Sequence, residues 1–195
     1  MKITDILSAS SALRETRSID KPGLLQSMSE RAAAALHLEA GIVREAIFRR
    51  EDLGSTGVGG GVAVPHARLG GIDRPFGMLV VLKRPIEFEA VDGKPVDIVF
   101  LLLLPLGADG DALNALACAA RALRNPGTVD QLRHAADAEA LYAALSAANT
   151  ARAACNARTG LILRTGLIVR ECFPGRPPAG TTESLASNSA RLAGL

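Results

Sequence analysis

The alternation of apolar and polar positions divides the chain into recognisable elements. Between Pro22 and Leu38, apolar residues fall at Leu24, Leu25, Met28, Ala32, Ala35 and Leu36. That spacing lines one face of a helix, with Asp20 as N-cap and Pro22 in the first turn. A second helix is expected from Ala40 to Asp52, burying Ile42, Val43, Ala46 and Ile47. The stretch Gly54 to Gly71 is too rich in glycine for a long helix; it reads as a tight loop opening into a short strand, Val62 to Val64. Phe76 to Lys83 reads as a strand, followed by a turn initiated at Pro85 and an extended piece from Ile86 to Phe88. After a turn over Val91 to Pro95, the apolar run Val96 to Leu104, interrupted only by Asp97, has strand length and the character of a central strand covered on both faces. Asp109 or Asp111 can cap a helix running to Arg124, with Leu113, Leu116, Ala117, Ala120 and Leu123 in phase. Asn125-Pro126-Gly127 breaks it, Thr128 to Ala135 forms a short helix, and Asp137 caps a last one that buries Leu141, Ala144 and Leu145. Helices and strands interleave, so the fold class is α/β with a mixed β-sheet sandwiched between helices.

Composition narrows the function classes. Of 195 residues, 48% are hydrophobic but only 3% aromatic, with no Trp and a single Tyr, so the core is aliphatic. Base-stacking recognition of single strands lacks its platforms here. The formal net charge of +2 is unevenly spread. Residues 1–150 carry 16 Lys and Arg against 18 Asp and Glu, whereas residues 151–195 carry 6 Arg against 2 Glu. The body therefore has no basic balance suited to duplex nucleic acid. This divides the chain into a domain over 1–150 and an atypical Arg-rich extension over 151–195, expected to be disordered or weakly structured. The extension contains a tandem hexamer, Thr159 to Arg164 and Thr165 to Arg170, and no Lys. Three widely spaced cysteines, Cys118, Cys155 and Cys172, form neither a disulfide framework nor a zinc motif. No segment reads as a secretory signal, and the longest apolar run is too short to span a bilayer. The expectation is a cytoplasmic protein without membrane insertion, metal or cofactor.

Candidate chemistry concentrates in Arg50 to Arg68. No Gly-Lys-Ser/Thr ending makes it a P-loop, Val62 stands where a dinucleotide fingerprint needs its third glycine, and no GxSxG elbow surrounds Ser55. What remains is one imidazole, His66, just after the short strand and pre-positioned by Pro65. The loop glycines Gly54, Gly57, Gly59 and Gly61 allow close backbone approach and could aim amides at an anion. Ser55 and Thr56 could add hydroxyl donors, and Arg50 and Arg68 guanidinium groups suited to phosphoryl oxygens. A neutral imidazole whose other nitrogen is hydrogen-bonded is a competent nucleophile. These residues fit a phosphoryl acceptor; they also fit a glycine-rich surface turn with an incidental histidine. His37 reads as a helix-boundary residue, His134 as a helix-end cation and Cys118 as a buried, inert thiol.

The order Arg50-Glu51, Gly54-Ser55-Thr56-Gly57-Val58-Gly59 and Val64-Pro65-His66 resembles the active-site signature of the IIA components of the bacterial phosphotransferase system, mannitol/fructose class, and most of all their stand-alone nitrogen-regulatory type. Pro85-Ile86-Glu87-Phe88, Asp92-Gly93-Lys94-Pro95-Val96 and the apolar strand to Pro105 follow the same course, so the resemblance covers roughly residues 1–148. It implies that His66 is phosphorylated by an HPr-type phosphocarrier protein, with Arg50 stabilising the phosphoryl group. It also implies that the phosphorylation state regulates protein targets, or that the group passes to a transporter IIB component. One departure stands out. The family's second histidine, in a His-Leu-x-x-Leu pattern, falls here on Ala112, with Asn114 the nearest polar substitute. That replacement suits a slower carrier or a non-catalytic interaction module; a separate IIA subunit of a sugar transporter is a further alternative.

Overall fold

The computed structural model describes residues 1–15, 20–107 and 109–147, so the extension expected over 151–195 lies outside the described residues. Six strands form one sheet: β1 (Leu7–Glu15), β2 (Gly57–Gly59), β3 (Val62–Ala63), β4 (His66–Leu69), β5 (Phe76–Ile86) and β6 (Val96–Pro105). Their order is β1-β5-β6-β3-β2, with β4 also paired to β6. The helices are α1 (Lys21–Leu36), α2 (Ala40–Asp52), α3 (Asp109–Leu123), α4 (Pro126–His134) and α5 over 138–147. Among the described residues no helix is long and apolar enough to cross a membrane.

The sheet is mixed: β6 runs antiparallel to β5 but parallel to β3 and β4, and β1 runs parallel to β5. Because side chains alternate across a strand, the apolar run of β6 feeds two cores. Ile98, Phe100, Leu102 and Leu104 pack with α3, α4 and α5 on one face. Val99, Leu101 and Leu103 pack with α1 and α2 on the other. This is the sheet between helical layers that the patterning predicts.

α1 starts where its cap chemistry dictates: the Asp20 carboxylate accepts from the Gly23 amide at 2.9 Å. His37 ends α1 in the left-handed region at φ 56°, a boundary residue as expected. α4 begins at Pro126, two residues earlier than expected, because the Asn125 side chain accepts from the Gly127 amide and places Pro126 in the first turn.

Three local differences from the sequence expectation have physical causes. β1 lacks an alternating pattern because the six residues from Leu7 to Ala12 span only the three from Gly77 to Leu79 on β5, and the serines of the resulting arch bond one another. β5 continues through Pro85 to Ile86 because its register slips between Val81 and Ile86, so Pro85 is spared a ladder bond. The third concerns the face of α3. Ala112, Ala115, Cys118, Ala119, Ala122 and Leu123 are buried, while Leu113 is 70% exposed. Small side chains let this helix lie close to the sheet; Leu123 stays on that face and Leu116 packs at its margin, while Leu113 is displaced from it.

Candidate functional site

His66 lies within an extended run rather than after it. Val62 pairs with Ile98, Ala63 with Val99 and His66 with Leu102, so β3 and β4 follow β6 in one unbroken register. Pro65 has no amide to donate, yet its carbonyl accepts from Leu102 at 2.9 Å and keeps the run attached. The imidazole is therefore mounted on β4, directly against the central strand β6. α2 packs against β4 and delivers Arg50 from its last turn.

The ring's tautomer follows from its partners. Arg50 Nε donates to His66 Nε2 at 3.2 Å, and a guanidinium has no acceptor. Nε2 is therefore the unprotonated nitrogen, and Nδ1–H donates to the Val64 carbonyl at 3.0 Å. The ring is half-buried, and burial pushes its pKa below the ordinary 6.5. The neighbouring Arg50 charge pushes it the same way; the Val64 hydrogen bond and the Glu51 charge oppose. His66 is thus a neutral imidazole at pH 7 with its nucleophilic lone pair on Nε2. Arg50 Nη1 also donates to the Gly54 carbonyl at 3.0 Å, which fixes the guanidinium between loop and ring.

Glu51, the residue after Arg50, was quoted in the motif without a role. The structure buries it to 8% exposure. It accepts from the Thr56 amide at 3.0 Å and the Thr56 hydroxyl at 2.6 Å, and pairs with Lys21 at 3.1 Å. A signal for it exists in the sequence: an acid in the last turn of a helix opposes the macrodipole and so needs a local partner.

The loop is more self-contained than its composition suggests. The Ser55 hydroxyl donates to the Phe88 carbonyl and accepts from the Gly57 amide, while the Thr56 hydroxyl is spent on Glu51. The amides of Gly54, Thr56 and Gly60 go to the Glu51 carbonyl, the Glu51 carboxylate and Asp92. These groups hold the loop's own shape and are not open to an anion. Gly57 is required sterically, since a Cβ there would stand 2.7 Å from the Ala90 Cα. Gly59 ends β2 and Gly61 lies in the turn before β3. Val62 lies four residues, about 13 Å of strand, from His66 along β6. The turn glycines are therefore remote from the ring. Gly61 instead adjoins Arg133, whose guanidinium grips Asp97 through two bonds, at 2.7 and 2.9 Å, and reaches the Gly60 carbonyl.

Arg68 is two residues beyond His66 on β4, hence on the same face of the strand, and is exposed. Ala112 is buried at 2% in the apolar cluster under α3. Asn114 is exposed and, two residues on, lies about 200° around the helix from Ala112. The structure therefore joins Arg50, Gly54 and His66 directly and sets Arg68 nearby. It does not bring Asn114 to the place of a second imidazole. His134 lies at the end of α4, where its ring bonds the Asp130 carbonyl, and Cys118 is buried.

A mixed sheet between helices, with an Arg-capped histidine on the strand beside its central one, defines the class. Residues 5–148 match the family described as phosphoenolpyruvate-dependent sugar phosphotransferase system, EIIA 2, and the chain belongs to it. Within the family it is similar to proteins called nitrogen regulatory. One, from Bradyrhizobium diazoefficiens, is 42% identical over 146 residues, covering 75% of this chain and 95% of that one. The crystal structure of nitrogen regulatory protein IIA-Ntr from Neisseria meningitidis has a TM-score of 0.68 at 33% identity, covering 73% of this chain and 98% of that one. The solution structure of the mannitol-specific cryptic phosphotransferase enzyme IIA from Escherichia coli shares the fold, with a TM-score of 0.60 at 18% identity over 75% and 99% of the chains.

Proposed function

We propose that the chain is a cytoplasmic phosphohistidine carrier that takes a phosphoryl group on His66 Nε2 from an HPr-type donor and alters its binding to regulatory protein partners according to that charge. The observation that carries the reading is the fixed tautomer: Nδ1–H committed to Val64 and the Nε2 lone pair beneath Arg50. In the transfer, the Nε2 lone pair forms a bond to phosphorus as the bond from phosphorus to the donor breaks, its electron pair leaving with the donor. No proton has to leave His66. The ring acquires positive charge, which the Val64 carbonyl accommodates through Nδ1–H. The Arg50 guanidinium, released from Nε2, meets the phosphoryl oxygens. The added charge of about −1.5 to −2 is enough to switch a protein interface. Similarity to nitrogen regulatory proteins along nearly their whole length supports regulation rather than sugar uptake as the role.

A second reading rests on Ala112. A methyl group stands in an apolar cluster where the family pattern calls for an imidazole, which suits an interaction module without efficient transfer. One experiment separates the two. The protein is incubated with phosphoenolpyruvate, the general phosphotransferase kinase and an HPr-type carrier, then weighed intact. The carrier reading expects an acid-labile gain of one phosphoryl group that His66→Ala abolishes. No gain under conditions that label a control IIA protein leaves the interaction module.

A further inference from the structure

We infer that Glu51 is a positioning residue: its buried carboxylate, holding both polar groups of Thr56 and paired with Lys21, fixes the loop whose Gly54 carbonyl steers Arg50 onto His66. Glu51 touches neither the ring nor the site of phosphoryl attachment. Its effect travels through a short chain of bonded groups. Lys21, at the start of α1, donates to Glu51 and to Glu89 and lies 4.9 Å from the centre of the Phe88 ring. Glu51 in turn bonds the Thr56 amide and hydroxyl. The Thr56 carbonyl accepts from the Val64 amide at 3.0 Å, and the Val64 carbonyl is the group that takes His66 Nδ1–H.

The same carboxylate thus stands behind both nitrogens of the imidazole. On one side it orders Thr56, which holds Val64, which holds Nδ1. On the other it anchors the far end of the three-residue stretch Gly54 to Thr56, and the Gly54 carbonyl holds Arg50 against Nε2. An ionised carboxylate suits this role because it accepts several bonds at once and donates none. Three charge-assisted or short bonds offset the cost of burying it. Glutamine is a poorer holder, since it lacks the charge that pairs with Lys21 and its amide nitrogen would force the Thr56 hydroxyl to turn from donor to acceptor.

The kinetic half of the test rests on the carrier reading above; the spectroscopic half does not. In uniformly 15N-labelled full-length protein, the Arg50 Nε–H resonance should be protected from solvent exchange. In Glu51→Gln and in Thr56→Val it should broaden, and in Thr56→Ser, which keeps the hydroxyl, it should stay. Phosphorylation of His66 by the HPr-type carrier should slow at least tenfold in the first two variants, in kcat rather than in KM for the donor. Thr56→Ser should restore it. Circular dichroism on each variant confirms a folded chain, and Thr56→Val carries the test should Glu51→Gln fail to fold. A protected Arg50 resonance in both loop variants, or transfer within twofold of the parent, overturns the inference. If the parent chain takes no phosphoryl group, the carrier reading fails, and the Arg50 resonance alone decides the role of Glu51.

Discussion

Arg50 Nε lies 3.2 Å from His66 Nε2, so the nitrogen that the proposed carrier function would use to attack phosphorus is covered by the cation that the same proposal assigns to the phosphoryl oxygens. In the proposed transfer the guanidinium would have to slide from ring to phosphate, with its second anchor on the Gly54 carbonyl limiting how far it travels. Removing it exposes Nε2 but takes away the charge-assisted bond formed to the product. Such a bond is worth about 1.5–3 kcal/mol, a loss of roughly 10- to 150-fold in rate. Arg50→Ala should slow His66 phosphorylation by that factor, measured by intact mass against time. A rate equal to the parent's would show that exposure of the lone pair matters more than stabilisation of the phosphoryl group.

Protonation of His66 should occur below its ordinary pKa of 6.5, because burial and then Arg50 both disfavour the charged ring. The unfolded chain binds this proton at a higher pH than the folded one. The stability involved is therefore present above about 6.5 and lost as pH falls from there through the folded value. Transfer should likewise persist below 6.5 and fall away as Nε2 takes a proton. Arg50→Met keeps an apolar stem over the ring but removes the cation, so the ring should titrate at a higher pH than in the parent. Histidine resonances followed through a pH titration check both statements; an unchanged or lower value in the variant would contradict the assignment of Arg50.

What the sequence discloses depends on how local the physics is. α2 has the predicted bounds, Ala40–Asp52, because its composition alone fixes where helix must yield to glycine. β6 is equally plain, since a nine-residue apolar run admits few other structures. β1 is not, because its serine arch is stabilised by bonds that need the fold around them. On α3 Leu113 misleads: leucine is the better core residue, but close helix-to-sheet approach selects alanine and Cys118 over most of that face. At the site, the identity of His66 and Arg50 is legible from the motif, whereas which ring nitrogen is free depends on a contact between residues sixteen positions apart. The loop amides were the least predictable part, since glycine content does not say whether an amide faces solvent or Glu51.

Ala112→His is the direct test of the departure at α3. Ala112 is 2% exposed among apolar neighbours, so an imidazole must push α3 away from the sheet. Overpacking of this kind costs about 1–3 kcal/mol, a fall of several degrees in Tm for a domain of this size. The expected result is faster phosphorylation of His66 in a less stable protein. A lower Tm with no gain in rate would mean that this site does not draw on a second imidazole.

Gly57→Ala tests the loop framework apart from its chemistry. The added methyl would stand 2.7 Å from the Ala90 Cα and 2.8 Å from its Cβ, and neither can swing aside as a long side chain would. β2 would have to part from the Ala90 turn, breaking the bond from the Val91 amide to the Gly57 carbonyl. A loss of about 1–3 kcal/mol is expected by analogy with overpacked cores, read from the urea midpoint. A midpoint equal to the parent's would show that the loop relaxes cheaply.

Arg133 offers the complementary case, a charged residue whose removal should spare the site. Its guanidinium binds Asp97 at two points and the Gly60 carbonyl, tying α4 to β6 and to the turn between β2 and β3. Asp97 is only partly exposed, so losing its partner leaves a carboxylate short of hydrogen bonds at a cost of about 1–3 kcal/mol. The turn, however, lies beyond Val62, about 13 Å of strand from His66, and the intervening backbone is held by β6. Arg133→Ala should therefore lower the urea midpoint while leaving the His66 titration and the phosphorylation rate at parental values. A shifted titration would mean that the turn and the ring are mechanically coupled through β3 and β4, and the separation argued here between loop framework and phosphoryl site would have to be given up.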